Sequence, residues 1–256
     1  MRIGFAGAGN MAAAMARGWA AARPQGPAAM LFCDLDGDRA RALAADVEGE
    51  TRDTIGELRA DSDVLLLAVK PAALAGVADE LDGEAPAILS VLAATPLARL
   101  TAAFPGAPLL RVMPNQPVEV RHGVICHPPP RGMPGELAAR LLALLDLLGT
   151  RVELDDEAID AAMAVMSCSP AYIALFAQAL ADAGARGGLE RALAGELVAG
   201  ALGGTAELLR RRDPEAIRRA VTAPGGATDA GLRALDAAGF GPAVGAAVEA
   251  SLERFR

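Results

Sequence analysis

Six residues near the amino terminus, Gly7-Ala8-Gly9-Asn10-Met11-Ala12, carry the spacing GxGxx(G/A). They follow the apolar run RIGFA and open an alanine-rich stretch, so the expected local structure is strand, tight turn and helix. Glycine at 7 permits the turn, glycine at 9 lets backbone approach a pyrophosphate, and the small Ala12 lets the helix pack on the strand. The N–H groups that begin such a helix, with the positive end of its dipole, attract phosphate oxygens. Gly7, Gly9, Asn10 and Met11 are therefore candidate contacts for a dinucleotide. A second apolar run, AAMLFCD, ends in Asp34, 22 residues after Ala12. A carboxylate at that strand end accepts from the ribose 2′- and 3′-hydroxyls and repels a 2′-phosphate, so NADH is favoured over NADPH. Asp36 adds negative charge, Arg39 and Arg41 would offset it if they turned inward, and the other role open to Asp34 is to cap the next helix.

The elements that must position these residues follow from the same pattern. Apolar runs (RIGFA, AAMLFCD, SDVLLLAV, PAILSVL, APLLRVMP) alternate with helical stretches over the first half of the 256 residues. Runs that are apolar throughout fit a parallel sheet covered on both faces. From Asp155 onward only helices are expected, with breaks at Gly187-Gly188, at Asp213-Pro214 and at Gly225-Gly226. The fold class is thus α/β: a dinucleotide-binding domain of the Rossmann type over 1–155, then an all-α domain over 156–256. ALAGELVAGALGGTAELL is apolar or small almost all round, which predicts burial on several sides. In a domain of this size a second copy is the simplest cover, so a homodimer or a higher homo-oligomer is expected.

Composition limits the remaining classes. The net charge is −8 with no basic block, which argues against nucleic acid as partner. No apolar run approaches the ~20 residues that span a bilayer, and the chain enters a strand pattern at residue 2, so neither a membrane nor a leader is expected. Three widely spaced cysteines, Cys33, Cys126 and Cys168, suggest a reducing compartment and a cytoplasmic protein. His122 and His127 flank Cys126, but a loop sequence follows and no second ligand pair exists, so no metal is expected.

One cation stands apart. Of the 24 lysines and arginines only Lys70 is lysine, at the end of VLLLAV and before Pro71. Arginine's broad fork does not replace a compact ammonium at a confined site.

The ordered motifs IGFAGAGNMA, SDVLLLAVKP, RVMPNQPVEVRHGV, SPAYIALFAQALADAGARGGL and VTAPGGATDAGLRAL together resemble the pyrroline-5-carboxylate reductase family over essentially the whole chain. The resemblance implies hydride transfer from NADH or NADPH to the C=N carbon of a five-membered cyclic imine carboxylate, giving L-proline, and a helical dimerisation domain. It implies cofactor contacts from Val69, Lys70 and Pro71 of AVKP and from Met113 and Asn115 of MPN, where Asn115 would bond the cofactor or fix its loop. It implies a substrate cradle from Gly225, Gly226, Ala227 and Thr228, with the Thr228 hydroxyl near the ring nitrogen as the catalytic contact. Ser167 and Cys168 would stand near the substrate.

Several residues depart from the family pattern. Ser167 and Cys168 replace its usual glycine and serine, Gln116 stands where it has threonine, and Leu92 and Ala94 alter SxAAG. These changes leave two other activities open: reduction of a related cyclic imine carboxylate, or dinucleotide binding with weakened catalysis. A 3-hydroxyacid dehydrogenase would need a catalytic lysine after the sheet, and none follows residue 70.

Overall fold

In the computed structural model, which describes residues 1–83 and 85–254, the chain divides into two compact units, Met1–Ser167 and Cys168–Arg254. The first unit runs β1 (Arg2–Ala6), α1 (Asn10–Ala21), β2 (Ala29–Cys33), α2 (Gly37–Val47), β3 (Glu50–Thr51), α3 (Ile55–Ala60), β4 (Val64–Leu67), α4 (Leu74–Glu80), β5 (Ala87–Ser90), α5 (Leu97–Ala103) and β6 (Leu109–Arg111). These six strands form a parallel sheet in the order β3-β2-β1-β4-β5-β6. Alternate residues leave opposite faces of a strand. Accordingly Val64 and Leu66 of β4 enter one core with Phe5, Trp19 and Phe32, while Leu65 and Leu67 enter another with Leu58, Leu74 and Leu100. The covered faces explain why the strand runs are apolar without alternation.

The run read as a single strand, APLLRVMP, is divided between two sheets. β6 ends at Arg111, and β7 (Met113–Pro114) joins β8 (Gly123–His127) and β9 (Gly149–Glu153) in a separate three-stranded sheet. There β7 pairs antiparallel to β8 and β8 parallel to β9. α6 (Gly135–Asp146) links β8 to β9, and Trp19 Nε1 donates to the Leu144 carbonyl at 2.7 Å, tying α1 to α6.

The sequence ends the first domain at 155, where the RVEL run closes. The first unit continues to Ser167. α7 (Ile159–Met166) belongs to it because Ile159 and Met163 form a third small core with Met113 and Cys126.

The second unit holds α8 (Ser169–Arg186), α9 (Arg191–Leu209), α10 (Pro214–Val221), α11 (Ala227–Ala237) and α12 (Phe240–Glu253). The expected breaks at Gly187-Gly188, Asp213-Pro214 and Gly225-Gly226 separate these helices. Gly188 takes φ +102 after α8, and the Asp213 side chain caps α10 by accepting from Ala216 N at 2.8 Å with Pro214 first in the helix. Tyr172 Oη lies 2.6 Å from Ser251 Oγ, joining α8 to α12, and Phe176 meets Phe240 with ring centroids 5.9 Å apart. A single copy nevertheless buries almost nothing here. α8 and α12 have no buried residue and α9 has only Ala194, while Ile173, Leu175, Leu193, Leu197 and Val244 are exposed.

Contrary to the expectation of no spanning run, two helical stretches, residues 156–186 and α9, have the length and apolar composition to cross a membrane. Alanine raises their mean hydropathy without adding the bulk of a leucine-rich span.

Candidate active site

β1 and β4 are neighbours at the point where strand order reverses, and in open α/β sheets ligands bind outside the carboxyl ends of strands at such a point. Gly7 leaves β1 with φ +100, and a Cβ there would lie 2.7 Å from the Ala68 carbonyl oxygen. The two strand ends thus approach so closely that only glycine fits. Gly7 N donates to Cys33 O at 2.8 Å, joining the turn to β2 as well. Gly9 caps α1 through its backbone alone, and a Cβ on it would meet nothing within 4 Å. The N–H groups of Asn10, Met11 and Ala12 open the helix without intrahelical acceptors, beside a surface kept bare at Gly9. Ala12 is fully buried against the sheet.

Asp34 is not the cap of α2; that is Asp36, which accepts from Arg39 N at 3.2 Å. Asp34 Oδ2 accepts from Ala8 N at 2.7 Å and Oδ1 from Asp36 N at 2.9 Å. It therefore braces the glycine loop, and each oxygen retains a lone pair. A cleft of about 210 Å³ lies beside it, lined by Leu35, Gly37, Arg41, Thr51, Arg52 and Asp53 among others. The arginines around it are already paired. Arg39 lies 3.3 Å from Asp36 and 3.8 Å from Asp34, Arg41 is 2.7 Å from Asp38, and Arg52 meets Glu50 at 2.8 Å and Asp61 at 2.6 Å. Cys33, at the end of β2, has its thiol pushed up by burial first and then by the carboxylates of Glu80 and Asp34.

Val69, Lys70 and Pro71 follow β4 at the same edge of the sheet. Lys70 is exposed, and its ammonium has no hydrogen-bond or ion-pair partner among the described residues. Ala73 N donates to its carbonyl at 2.8 Å as Pro71 starts a short turn of 3₁₀ helix.

The residues after β6 are held inside the first unit. Met113 is 4% exposed, its side chain packed in the third core. The Asn115 amide shows the loop-fixing role: Oδ1 accepts from Val124 N at 2.8 Å and Nδ2 donates to Met166 O at 3.0 Å. Ser167 Oγ points to Pro114 O at 3.4 Å. Gln116 Nε2 donates to Glu119 at 3.0 Å.

Leu92 is 2% exposed and belongs to the core with Leu97 and Leu100, so its extra bulk goes into packing and does not narrow a pocket. Ala94 adopts φ +49, the left-handed conformation a glycine would take freely. His127 is fully buried, with Nδ1 2.9 Å from Pro128 O and Nε2 3.1 Å from Arg151.

In the second unit, Gly225 takes φ +72 and Gly226 caps α11 through its backbone. Ala227 and Thr228 are therefore the first residues of that helix, and both are exposed. Asp229 Oδ2 accepts from Gly225 N at 2.9 Å and pairs with Arg233, which fixes the turn and neutralises the carboxylate nearest to it. Cys168 opens the same unit as the residue before α8.

One residue escaped the sequence. Arg111, the last residue of β6, is 1% exposed. Its guanidinium reaches Asp156 Oδ1 at 2.8 Å and Asp160 Oδ1 at 3.1 Å. The only hints were an arginine inside LLRV and the acidic cluster DDEAID.

A family profile described as pyrroline-5-carboxylate reductase dimerisation matches residues 156–256, and one described as NADP oxidoreductase coenzyme F420-dependent matches residues 2–94. Pyrroline-5-carboxylate reductase of Synechocystis is 34% identical over 99% of this chain and 97% of its own length. That of Pseudomonas aeruginosa is 37% identical over 99% and 95%. Among solved structures, the Plasmodium falciparum pyrroline carboxylate reductase with NADP bound aligns with a TM-score of 0.88 at 25% identity, covering 100% of this chain and 97% of that one. The Streptococcus pyogenes enzyme aligns with a TM-score of 0.87 at 27% identity, covering 100% and 98%. The chain belongs to the pyrroline-5-carboxylate reductase family.

Proposed function

We propose that this protein reduces 1-pyrroline-5-carboxylate to L-proline with a nicotinamide dinucleotide. The observation that carries the proposal is the glycine turn at the β1–β4 switch point, with Gly9 bare and the first N–H groups of α1 free, in a chain aligned with the family end to end. When bound, the cofactor supplies the hydride that adds to the ring C=N carbon. The chain's own residues bind and orient. Asn10, Met11 and Ala12 offer backbone N–H groups to the pyrophosphate. Val69, Lys70 and Pro71 line the edge where the nicotinamide half belongs, Lys70 contributing a charge that no described residue pairs. Gly225, Gly226 and Ala227 hold the substrate carboxylate at the start of α11, and the Thr228 hydroxyl hydrogen-bonds the ring nitrogen as it gains electron density. Steady-state rates with a panel of cyclic imine carboxylates test the assignment: the five-membered 5-carboxylate should be preferred, and a clear preference for another ring overturns it. Thr228→Ala should lower kcat with little change in nucleotide affinity; an unchanged kcat refutes its role.

We propose NADH as the preferred cofactor. Asp34 offers a carboxylate just after β2, where the ribose of such a cofactor is expected, and the arginines near the cleft already pair with carboxylates, which disfavours a 2′-phosphate. Asp34→Ser should move the NADH/NADPH ratio of kcat/KM toward NADPH.

We propose a homodimer, or a larger ring built from it, through α8, α9 and α12. The exposed Ile173, Leu193, Leu197 and Val244 supply an apolar surface larger in kind than monomers leave in water. A bilayer is a poorer cover, because Glu196 and Glu207 lie within α9 and carboxylates within a spanning helix are costly. Light scattering should give at least twice the chain mass. Three free cysteines fit the reducing cytoplasm.

A further inference from the structure

Arg111 is an expensive residue to bury. Its guanidinium lies at the carboxyl end of β6 with 1% exposure. Taking a charge out of water costs several kcal/mol, and an apolar side chain of similar volume is often as stable in such a place. Even after pairing with Asp156 and Asp160, its Nε has no partner among the described residues. Stability alone is a weak reason for this arrangement, so its geometry is the informative part.

Asp156 joins two elements through three contacts. Oδ1 takes Arg111, and Oδ2 accepts from Leu97 N at 2.8 Å, at the start of α5 and just beyond the strained turn at Ala94. Its backbone carbonyl also faces Arg111 at 3.4 Å. Asp160, one turn on in α7, takes the other arm of the same guanidinium at 3.1 Å. Ten residues beyond Asp156, at the far end of α7, the Met166 carbonyl accepts from Asn115 Nδ2 at 3.0 Å. α7 is therefore held near its start by the last residue of β6 and at its end by the residue after β7, two strands of different sheets of the first unit. One anchor, at Asp160, is ionic and one, at Met166, is an amide, and the two are about 9 Å apart along α7. The next residue is Ser167, whose hydroxyl faces Pro114 O.

We infer that Arg111 and Asn115 form a two-point clamp on α7 and act as positioning residues for hydride transfer. The clamp fixes where residues 166–167 lie relative to the strand ends that receive the nicotinamide. Neither residue is a ligand of the cofactor in this role, which for Asn115 extends the loop-fixing alternative of its motif to α7. A fork held by two carboxylates defines both position and rotation, and a reacting centre misplaced by 1 Å costs about 10²-fold in rate. The inference rests on the proposed reductase activity for its kinetic readout and on the fold alone for its structural one.

Three variants of the full-length protein test it. Arg111→Met removes the charge at similar volume. Asp156→Asn can keep its one oxygen for Leu97 N only by setting its NH2 against the guanidinium, so it breaks the Asp156 arm of the ion pair. Asn115→Asp keeps the acceptor for Val124 N but sets a carboxylate against the Met166 carbonyl. Each should lower kcat at least tenfold, raise the deuterium isotope effect on kcat with reduced nicotinamide deuterated at C4, and leave nucleotide affinity within threefold. Amide hydrogen exchange over 159–167 should quicken at least tenfold while α1 keeps its protection. Wild-type kcat and isotope effect in all three would overturn the clamp, as would a loss of rate matched by an equal loss of nucleotide affinity. If wild-type protein binds nucleotide yet turns over no cyclic imine, the reductase proposal fails instead. The exchange measurement then decides the clamp alone, and unchanged exchange at 159–167 overturns it.

Discussion

The two glycines of the turn make opposite predictions, and the contrast tests the nucleotide site more sharply than removal of either. A Cβ on Gly9 would meet nothing within 4 Å, and Gly9 has φ −74, which alanine adopts without strain. Gly9→Ala should therefore change folding stability by no more than about 1 kcal/mol, the modest difference between glycine and alanine as a helix N-cap. Its methyl would instead occupy the space through which a pyrophosphate reaches the first N–H groups of α1. Loss of one charge-assisted hydrogen bond of about 1.5–3 kcal/mol predicts an affinity lower by about tenfold to a hundredfold. At Gly7 the methyl would lie 2.7 Å from the Ala68 carbonyl oxygen in a chain with φ +100. The left-handed conformation costs about 1–2 kcal/mol and the overpacking about 1–3 more, so Gly7→Ala should destabilise by about 2–5 kcal/mol before any ligand is added. Trp19, the sole tryptophan and fully buried on α1, reports NADH binding through energy transfer, and thermal unfolding reports stability. Wild-type NADH affinity in Gly9→Ala would refute the placement of the pyrophosphate, and a Gly7→Ala protein as stable as wild type would refute the close approach of β1 and β4.

Other predictions draw on single features. Ala94→Gly should relieve about 1–2 kcal/mol of left-handed strain and return about 0.4–1 kcal/mol through the freer unfolded chain; a melting temperature raised by a few degrees is expected, and a lowered one would show that the φ of +49 is not strained. Lys70→Arg should raise the KM for the nucleotide severalfold with no change in melting temperature, because nothing described in the fold pairs with this ammonium; unchanged kinetics would make it an ordinary surface cation. Burial raises the thiols of Cys33 and Cys126 above the ordinary range, so both stay protonated in the folded state. Iodoacetamide at pH 8 should leave them unmodified until denaturant is added, and their contribution to stability should fade only as pH rises through the thiol range; rapid native alkylation at either site would contradict their burial.

Much of the first unit was legible because its determinants are local. The glycine turn and the apolar strands each depend on neighbours within a few residues, as does the helix-opening Asp213-Pro214 of the second unit. The exposed helices of the second unit were legible for a related reason: ALAGELVAGALGGTAELL is apolar or small almost all round, so a second copy is its simplest cover. What the sequence hid depends on distant partners. The APLLRVMP run looks continuous, yet β6 takes its partner from β5 and β7 takes its partner from β8, and apolar pattern does not choose between them. The Arg111 anchors lie 45 and 49 residues away and that of Asn115 lies 51 away, and no spacing rule reaches so far. Asp34 was placed correctly at the end of β2, but its hold on Ala8 N required knowing that the turn folds back over that strand.

The departures from the family pattern fall into kinds with different consequences. Leu92 is absorbed by the core and Ala94 by backbone strain, so both act on the stability of the turn after β5 and leave the open edge of the sheet unchanged. Ser167 differs from both. It adds a hydroxyl where the family has glycine, and that hydroxyl faces Pro114 O at 3.4 Å, near the upper limit for a hydrogen bond and therefore weak. Because Asn115 already holds Met166 O, the serine is redundant as an anchor, and Ser167→Gly should leave exchange over α7 unchanged. If Ser167 shapes the substrate site, the same change should alter the KM for the imine while kcat for the preferred ring survives. A Ser167→Gly enzyme with wild-type KM across five- and six-membered imines would return the choice of substrate to the Gly225–Thr228 turn alone.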